Sequence, residues 1–412
     1  MTNWFEKKIN NSELAQTTAS DNVNNTIYRK RLKRHLVLNN GTKLIDFVSC
    51  SYLGLDQDPR ILKACSQGIY ETGFTYPAAR TRIQPSEFLI LEELLNKIYC
   101  QSYSTVFSSL HLGHLGILPL LASGKMPSFQ AAKNGFCFIL DKTVHSSLQI
   151  HRALMQQFGD VILTDFTNTN KLEYYFIKSV KLHKTPIAIA DSIGSMGGKQ
   201  DIPYLFDLAE KYNGYVYLDD AHGMSIFGKN GCGYVLKSLN YFFHPRLILT
   251  SSLAKAFGSV AGVVALPTKK DTDMFKRYAP TYVFSGPPAI PVINAAIASA
   301  HIHLSSEILT LQNQLKQNIQ YFDRLLNHQN IINSNTAIPI RGILIGDELT
   351  TIEAAKFLKN NGVAVTTALY PTVAKNKAML RIAISSNHTK SDMHQLCELI
   401  TNLTNKHVAK QT

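Results

Sequence analysis

The sequence predicts an α/β fold: an open, mostly parallel large-domain sheet flanked by helices, followed by a smaller C-terminal α+β domain. Three observations predict it. Between Ser104 and Leu266, short apolar runs alternate with stretches of helical apolar spacing, the pattern of strands joined by crossover helices. Asp191, Asp219, His222 and Lys255 fall at or just past the ends of such runs, where ligands sit in these sheets. A chain of 412 residues with 45% hydrophobic and 17% charged residues can also bury a large core.

Taken in order, residues 1–50 read as an N-terminal arm with short strands, 51–290 as the large domain and 291–412 as a linking helix with the small domain. Residues 1 to about 35 are polar and Asn-rich, and Tyr28-Arg29-Lys30-Arg31-Leu32-Lys33-Arg34 reads as a basic helix with a solvated face. Asn39-Asn40-Gly41 is a turn between two short strands, the second ending in Ile45 to Val48. Asp58-Pro59 starts a helix to about Thr72, with Asp58 as N-cap. Ser86 to Ile98 has apolar residues at helical spacing, with Ser86 as cap. Strands are expected at 104–107, 136–140, 161–163, 187–190, 215–218, 247–249 and 260–266. Helices are expected at 111–121, 145–158, 171–182 and 202–212. After Pro287-Pro288 a long helix spans about 289–327. Then come a strand at 338–345, a helix at 352–360, strands at 363–365 and 379–384, and a final helix.

The formal net charge is +13, with an isoelectric point near 9.3. That suits an anionic ligand or a nucleotide-bearing substrate. No helix-turn-helix, RNA-recognition signature or aromatic–basic interleaving appears, so no nucleic-acid partner is expected. The 6 cysteines form no Cys-x-x-Cys pair, which excludes a zinc ribbon or thioredoxin-like motif. The start carries no long apolar stretch, and no run could span a bilayer, so a cytoplasmic protein is expected.

Leu247 to Gly258 carries the chemistry. It opens as a buried strand and breaks into Thr250-Ser251-Ser252, then presents Lys255 before a Phe-Gly turn. A lysine between core strands is costly unless its charge is neutralised or used. An imine to pyridoxal 5'-phosphate (PLP) is one such use, with small neighbours leaving room for the cofactor. A lone loop lysine would more simply point to solvent. Tyr215 to Gly223 tips the balance, because that strand ends in Asp219-Asp220-Ala221-His222. Asp219 could keep the PLP ring nitrogen protonated, and His222 could bond the phenolic oxygen. His145, at the start of a helix, could stack on the ring. Ser252 and the helix start near His111 could bind phosphate. His111 and His114 have metal-ligand spacing, but no third ligand is evident and no metal is expected. Arg381 could clamp a substrate carboxylate.

Asp219-Asp220-Ala221-His222-Gly223 followed by Ser252-Leu253-Ala254-Lys255-Ala256-Phe257-Gly258 resembles the α-oxoamine synthases, PLP-dependent transferases of fold type I that condense an amino acid with an acyl-CoA. Further matches lie at Tyr52-Leu53-Gly54-Leu55, Asp141 to His145, Ser195-Met196, Phe284-Ser285-Gly286-Pro287-Pro288, Tyr370 to Val373 and Leu380-Arg381-Ile382. The resemblance implies catalytic roles for Lys255, Asp219, His222 and His145. It implies cofactor contacts at Ser195, Ser252, Leu110, His111 and Ser285. Substrate contacts are implied at Arg381, Cys50 and Arg82, where Cys50 replaces the family's Asn and Arg82 lies in an altered Ser-Arg stretch. The Lys255 to Gly262 run and the Phe284 to Pro288 form look most like the quorum-sensing autoinducer synthases. These imply a medium-chain acyl-CoA, a small amino acid and an α-aminoketone precursor of an α-hydroxyketone signal. The alternatives are another α-oxoamine synthase, of the 8-amino-7-oxononanoate synthase or 2-amino-3-ketobutyrate CoA ligase type, or a non-catalytic PLP-fold partner subunit. Family analogy also implies a homodimer, with Phe284-Ser285-Gly286 reaching the neighbour's pocket.

Overall fold

The structure, a computed structural model, describes residues 23–326 and 331–408, with side chains through residue 403. Residues 1–22, most of the expected arm, lie outside the described residues. The chain divides into two compact units, Leu55–Gln312 and Met1–Gly54 with Asn313–Thr412.

Seven strands build the sheet of the Leu55–Gln312 unit: β1 Tyr103–Phe107, β2 Phe136–Asp141, β3 Gly159–Thr164, β4 Thr185–Asp191, β5 Tyr215–Asp219, β6 Leu247–Ser252 and β7 Gly262–Leu266. Their spatial order is β1-β7-β6-β5-β4-β2-β3. Only β7 runs against its neighbours β6 and β1; the other pairs are parallel. Every residue of β2, β4, β5 and β7 is buried. This explains why these strands read as continuous apolar runs rather than alternating ones. Alternation survives in which core each side chain enters. Ala188, Ala190, Val216 and Leu218 join the core under the helices Ser86–Ile98, Thr169–Lys181, Ile202–Lys211 and Ile290–His303. Ile187, Ile189, Tyr215 and Tyr217 join the core under Leu110–Ala122 and Lys269–Tyr278. Each buried Leu, Ile or Phe stabilises by about 1.5–3 kcal/mol relative to exposure, so the strand ends that carry the polar residues rest on a rigid slab.

Helix Pro59–Thr72 begins as the sequence predicts: the Asp58 carboxylate accepts from the Arg60 N–H at 2.9 Å. The expected Ser86 cap is not made; Pro85 holds the cap position and the Ser86 hydroxyl turns to Glu87. The expected 145–158 helix is two short ones, Ser146–Gln149 and Arg152–Gln156. The expected helix 289–327 breaks between Ile290–His303 and Glu307–Leu325, where the Ser305 hydroxyl donates to the Ile302 carbonyl and accepts from the Glu307 N–H. Ile290–His303 packs on Pro59–Thr72 and Ser86–Ile98. The unit therefore runs to Gln312 rather than to a boundary at 290.

In the other unit, Tyr28–Leu32, His35–Leu38, Lys43–Asp46 and Val363–Ala364 form one sheet. A second joins Ile331–Ile332, Ile340–Gly346, Ala378–Ala383 and Thr366–Ala368, and the helices Glu348–Asn360 and Lys390–Val408 belong to the same unit. The expected basic helix at 28–34 is thus a strand that turns at Lys33-Arg34 into His35–Leu38. Its side chains are nearly all exposed, so the sequence shows no inside–outside alternation. Backbone pairing and the positive φ of Lys33 (51°) define it instead.

Candidate active site

The polar residues at the ends of β4, β5 and β6 share one cleft of about 260 Å³ with the start of helix Leu110–Ala122. Of the expected site residues, Lys255, Asp219, His222, His145, Leu110, His111 and Ser252 line it. Gly262 makes this possible. A Cβ there would lie 2.3 Å from the Leu110 N and Cα, so only glycine lets β7 approach the helix start this closely. Ser109 caps that helix, accepting from the Leu112 N–H at 3.3 Å, and leaves N–H groups at an end suited to an anion.

Asp219 is 5% exposed. Its Oδ1 accepts from the Ala221 N–H at 2.9 Å, and its Oδ2 lies 3.5 Å from His114 Nε2. Behind it, His114 Nδ1 is 2.7 Å from the Tyr217 hydroxyl. With the hydroxyl donating to Nδ1, the imidazole turns its Nε2–H toward the carboxylate. Burial alone would push the Asp219 carboxyl upward; His114, Lys255 and the Ala221 N–H outweigh it and hold the group below the usual aspartate value. Asp220 points to the opposite side, as strand alternation requires. It accepts from the Ser192 hydroxyl and the Val235 N–H, and burial pushes it up to about 7. Asp219, not Asp220, is the member of the pair that lines the cleft.

His145 caps the helix Ser146–Gln149 through its ring, Nδ1 accepting from the Ser147 N–H at 3.3 Å. Burial lowers its proton affinity, with Asp219 opposing, which favours a neutral ring able to stack on an aromatic ligand. His111 stacks on His151 at 4.8 Å and 22°. The residues therefore offer an amine, an ionised carboxylate, a flat imidazole and a helix start within one small cleft. That set fits the aldehyde, ring nitrogen, ring face and phosphate of PLP.

The other expected residues are not among those lining the cleft. Ser195 sits in the turn between Ile193 and Lys199, outside the cleft lining. Ser285 donates its hydroxyl to the Thr281 carbonyl. Arg82 is exposed, whereas Arg80 is buried, donating to the Val106 carbonyl at 2.7 Å and lying 3.9 Å over the Tyr282 ring. Cys50 and Arg381 belong to the other unit, where the guanidinium donates to the Cys50 sulfur at 3.4 Å. Sequence reasoning missed His114 and Tyr217 as supports of Asp219. A signal was present: Tyr217 and Asp219 are two apart on one strand and so share a face.

A profile described as aminotransferase class I and II matches residues 192–400, half of the chain and the part holding Asp219, His222 and Lys255. The chain belongs to this family. It is 29% identical over 371 residues to the 8-amino-7-oxononanoate synthase of Coprothermobacter proteolyticus, covering 89% of each chain. It is 29% identical to 8-amino-7-oxononanoate synthase 1 of Bacillus subtilis, covering 88% of each. Among solved structures, serine palmitoyltransferase from S. paucimobilis with a bound PLP–myriocin adduct superposes with a TM-score of 0.83 at 19% identity, over 96% of this chain and 97% of that one. The 8-amino-7-oxononanoate synthase of Francisella tularensis gives 0.71 at 22% identity, over 89% and 99%. The fold is that of the fold-type I PLP-dependent transferases, and the chain is an enzyme of the aminotransferase class I and II family whose relatives are α-oxoamine synthases, the family that the sequence motifs resemble. Among the described residues no helix is long and apolar enough to cross a membrane.

Proposed function

We propose that this aminotransferase-family enzyme condenses an acyl-CoA with a small amino acid, with loss of CO2, in the manner of an 8-amino-7-oxononanoate synthase. The observation that carries the reading is the convergence of Lys255, Asp219 and His145 on one cleft, in a chain that aligns over 89% of its length with such a synthase. The name of that product splits at the C7–C8 bond into a seven-carbon acyl group with a terminal carboxylate and an alanine-derived fragment. An acyl donor ending in a carboxylate is therefore the first candidate. These relatives lend no support to the autoinducer branch, so a plain medium-chain acyl-CoA is the second.

When bound, PLP supplies an electron sink for the pair left on the amino acid's α-carbon. Lys255 would hold the aldehyde and, once displaced by the substrate amine, carry the α-proton. Asp219 would keep a proton at the ring nitrogen, with His114 and Tyr217 fixing its carboxylate. His145 would cover one ring face, and His222 would bond the phenolic oxygen. The N–H groups at Leu110 and His111, with Ser252, would take the phosphate. Arg381 would bind a carboxylate of substrate bidentately.

The test is purified enzyme with PLP, alanine or 2-aminobutyrate, and acyl-CoAs that do or do not end in a carboxylate. CoA release and product mass are read together. Lys255→Ala should abolish the absorbance of the lysine-bound cofactor and cut CoA release by about 10²–10⁴-fold or more. CoA release that survives this change rules the mechanism out. A homodimer is part of the proposal. Tyr70 and Phe284 are 89% and 87% exposed, and Phe74 is 65%, an apolar display that a second copy could cover. Light scattering on the eluting peak distinguishes dimer from monomer.

A further inference from the structure

Three neighbouring parallel strands, β5, β4 and β2, all end in aspartate: Asp219, Asp191 and Asp141, in that spatial order. Asp219 stands directly opposite Asp191 in register. Their exposures are 5%, 7% and 4%. Buried carboxylates side by side do not all ionise, because each charge disfavours the next.

The groups that support their charges are shared unequally. Asp219 has His114, the Ala221 N–H and the nearby charge of Lys255. Asp141 accepts from the Thr143 hydroxyl, the Gln200 amide at 3.0 Å and the Phe166 N–H at 3.4 Å. Asp191, in the middle, accepts among the described residues from a single N–H, that of His145, at 3.2 and 3.1 Å to its two oxygens. It lines the cleft beside Asp219. Of the three, it is the carboxyl whose charge has least support and most opposition.

We propose that Asp191 holds the one proton of a carboxyl pair with Asp219, so that Asp219 alone carries the negative charge facing the cofactor ring. Asp191 is then a positioning residue. As a neutral acid it keeps the His145 backbone N–H bonded and has an O–H to offer, without competing for the ring's cation. That Asp219 faces a cofactor ring rests on the proposed PLP chemistry; the placement of the proton does not. The directions agree. Burial first, then the charge of Asp219, push the Asp191 carboxyl well above the ordinary range, with the His145 N–H and Lys255 opposing and Asp141 adding to the rise. The remaining titratable groups lining the cleft are His145, His111 and His222. Asp220, held up to about 7 by burial, titrates in the same direction, so the test is a difference between proteins.

A group whose folded-state proton affinity is raised contributes stability below its unfolded value, and loses it as pH rises through the folded value. Asp191→Asn mimics the neutral acid and removes that loss. In full-length protein stripped of cofactor, the melting temperature of Asp191→Asn minus that of wild type should therefore grow from about pH 5 to about pH 9. A flat difference over that range overturns the proposal. Should the variant fail to fold, Asp220→Asn protein labelled with carboxyl-13C aspartate decides, because Asp220 is itself held up to about 7: a labelled carboxylic-acid C=O infrared band should persist at about pH 6, where exposed aspartates have ionised, and its absence there overturns the proposal. In PLP titrations, Asp219→Asn should weaken binding by about tenfold or more, and Asp191→Asn by far less. Equal losses overturn the assignment of the charge to Asp219. Wild type that binds no PLP overturns the functional reading instead, and the thermal and infrared measurements still locate the proton.

Discussion

Asp219 and Arg341 are both buried charges, 5% and 0% exposed, one in each unit, and their surroundings are opposite in kind. Arg341 is saturated. Its Nε and Nη2 donate to the two oxygens of Asp323 at 2.6 and 2.7 Å, and its remaining N–H groups reach the carbonyls of Ile338, Ile340 and Thr336. Asp219 has one backbone N–H at 2.9 Å and a histidine at 3.5 Å, and otherwise faces a cleft. A group that spends every hydrogen bond internally specifies structure. One held in place from behind and left open in front is available to a ligand. Burial and charge alone would not have separated the two.

The sharpest way to break this comparison is a pair of substitutions. Lys255→Ala, on the open side, should remove activity by about 10²–10⁴-fold or more and leave the unfolding midpoint close to that of wild type. Arg341→Met should do the reverse in kind, costing about 3–5 kcal/mol of stability, because Asp323 is left as an uncompensated, largely buried charge. Denaturant unfolding and CoA release, measured on both variants, check it. An Arg341→Met protein as stable as wild type would show that saturation was not structural. Gly262→Ala should come next. The new Cβ cannot coexist with the Leu110 backbone at 2.3 Å, so β7 or the helix start must move. A loss of about 1–3 kcal/mol and weaker PLP binding are expected together, since that helix start lines the cleft.

How far the sequence could be read follows the same division. The β4, β5 and β6 strands and the polar residues at their ends were legible, because a fully buried strand is a run of apolar residues and its end is where the run stops. Lys255 and Asp219 were singled out by type and place, and both line the cleft. The strand Tyr28–Leu32 was not legible, because an exposed strand carries no pattern in its side chains. Helix Lys269–Tyr278 was passed over although Thr268 and Asp271 form a cap at its start, Thr268 accepting from the Asp271 N–H at 3.2 Å. His114 was read with His111 as a possible metal pair. Its partners, Tyr217 and Asp219, lie about a hundred residues further on, and only the sheet brings them together. Supports of this kind are set by tertiary packing, so local spacing does not reveal them.

The smallest effect tests that support directly. Tyr217→Phe removes the hydroxyl 2.7 Å from His114 Nδ1 and little else. His114 is then free to place its single proton on Nδ1, which turns a lone pair toward Asp219. The carboxylate loses part of what holds it below its ordinary value. For a group with depressed proton affinity, the stability it adds is present above the unfolded value and disappears as pH falls through the folded one. Wild type should therefore exceed Tyr217→Phe by about 1 kcal/mol at neutral pH, and the gap should close in acid as Asp219 is protonated in both proteins. Urea unfolding at neutral pH and again below about pH 4 measures both points. A gap that persists unchanged in acid would mean that Tyr217 serves packing alone, and that Asp219 owes its charge to Lys255 and the Ala221 N–H rather than to the imidazole behind it.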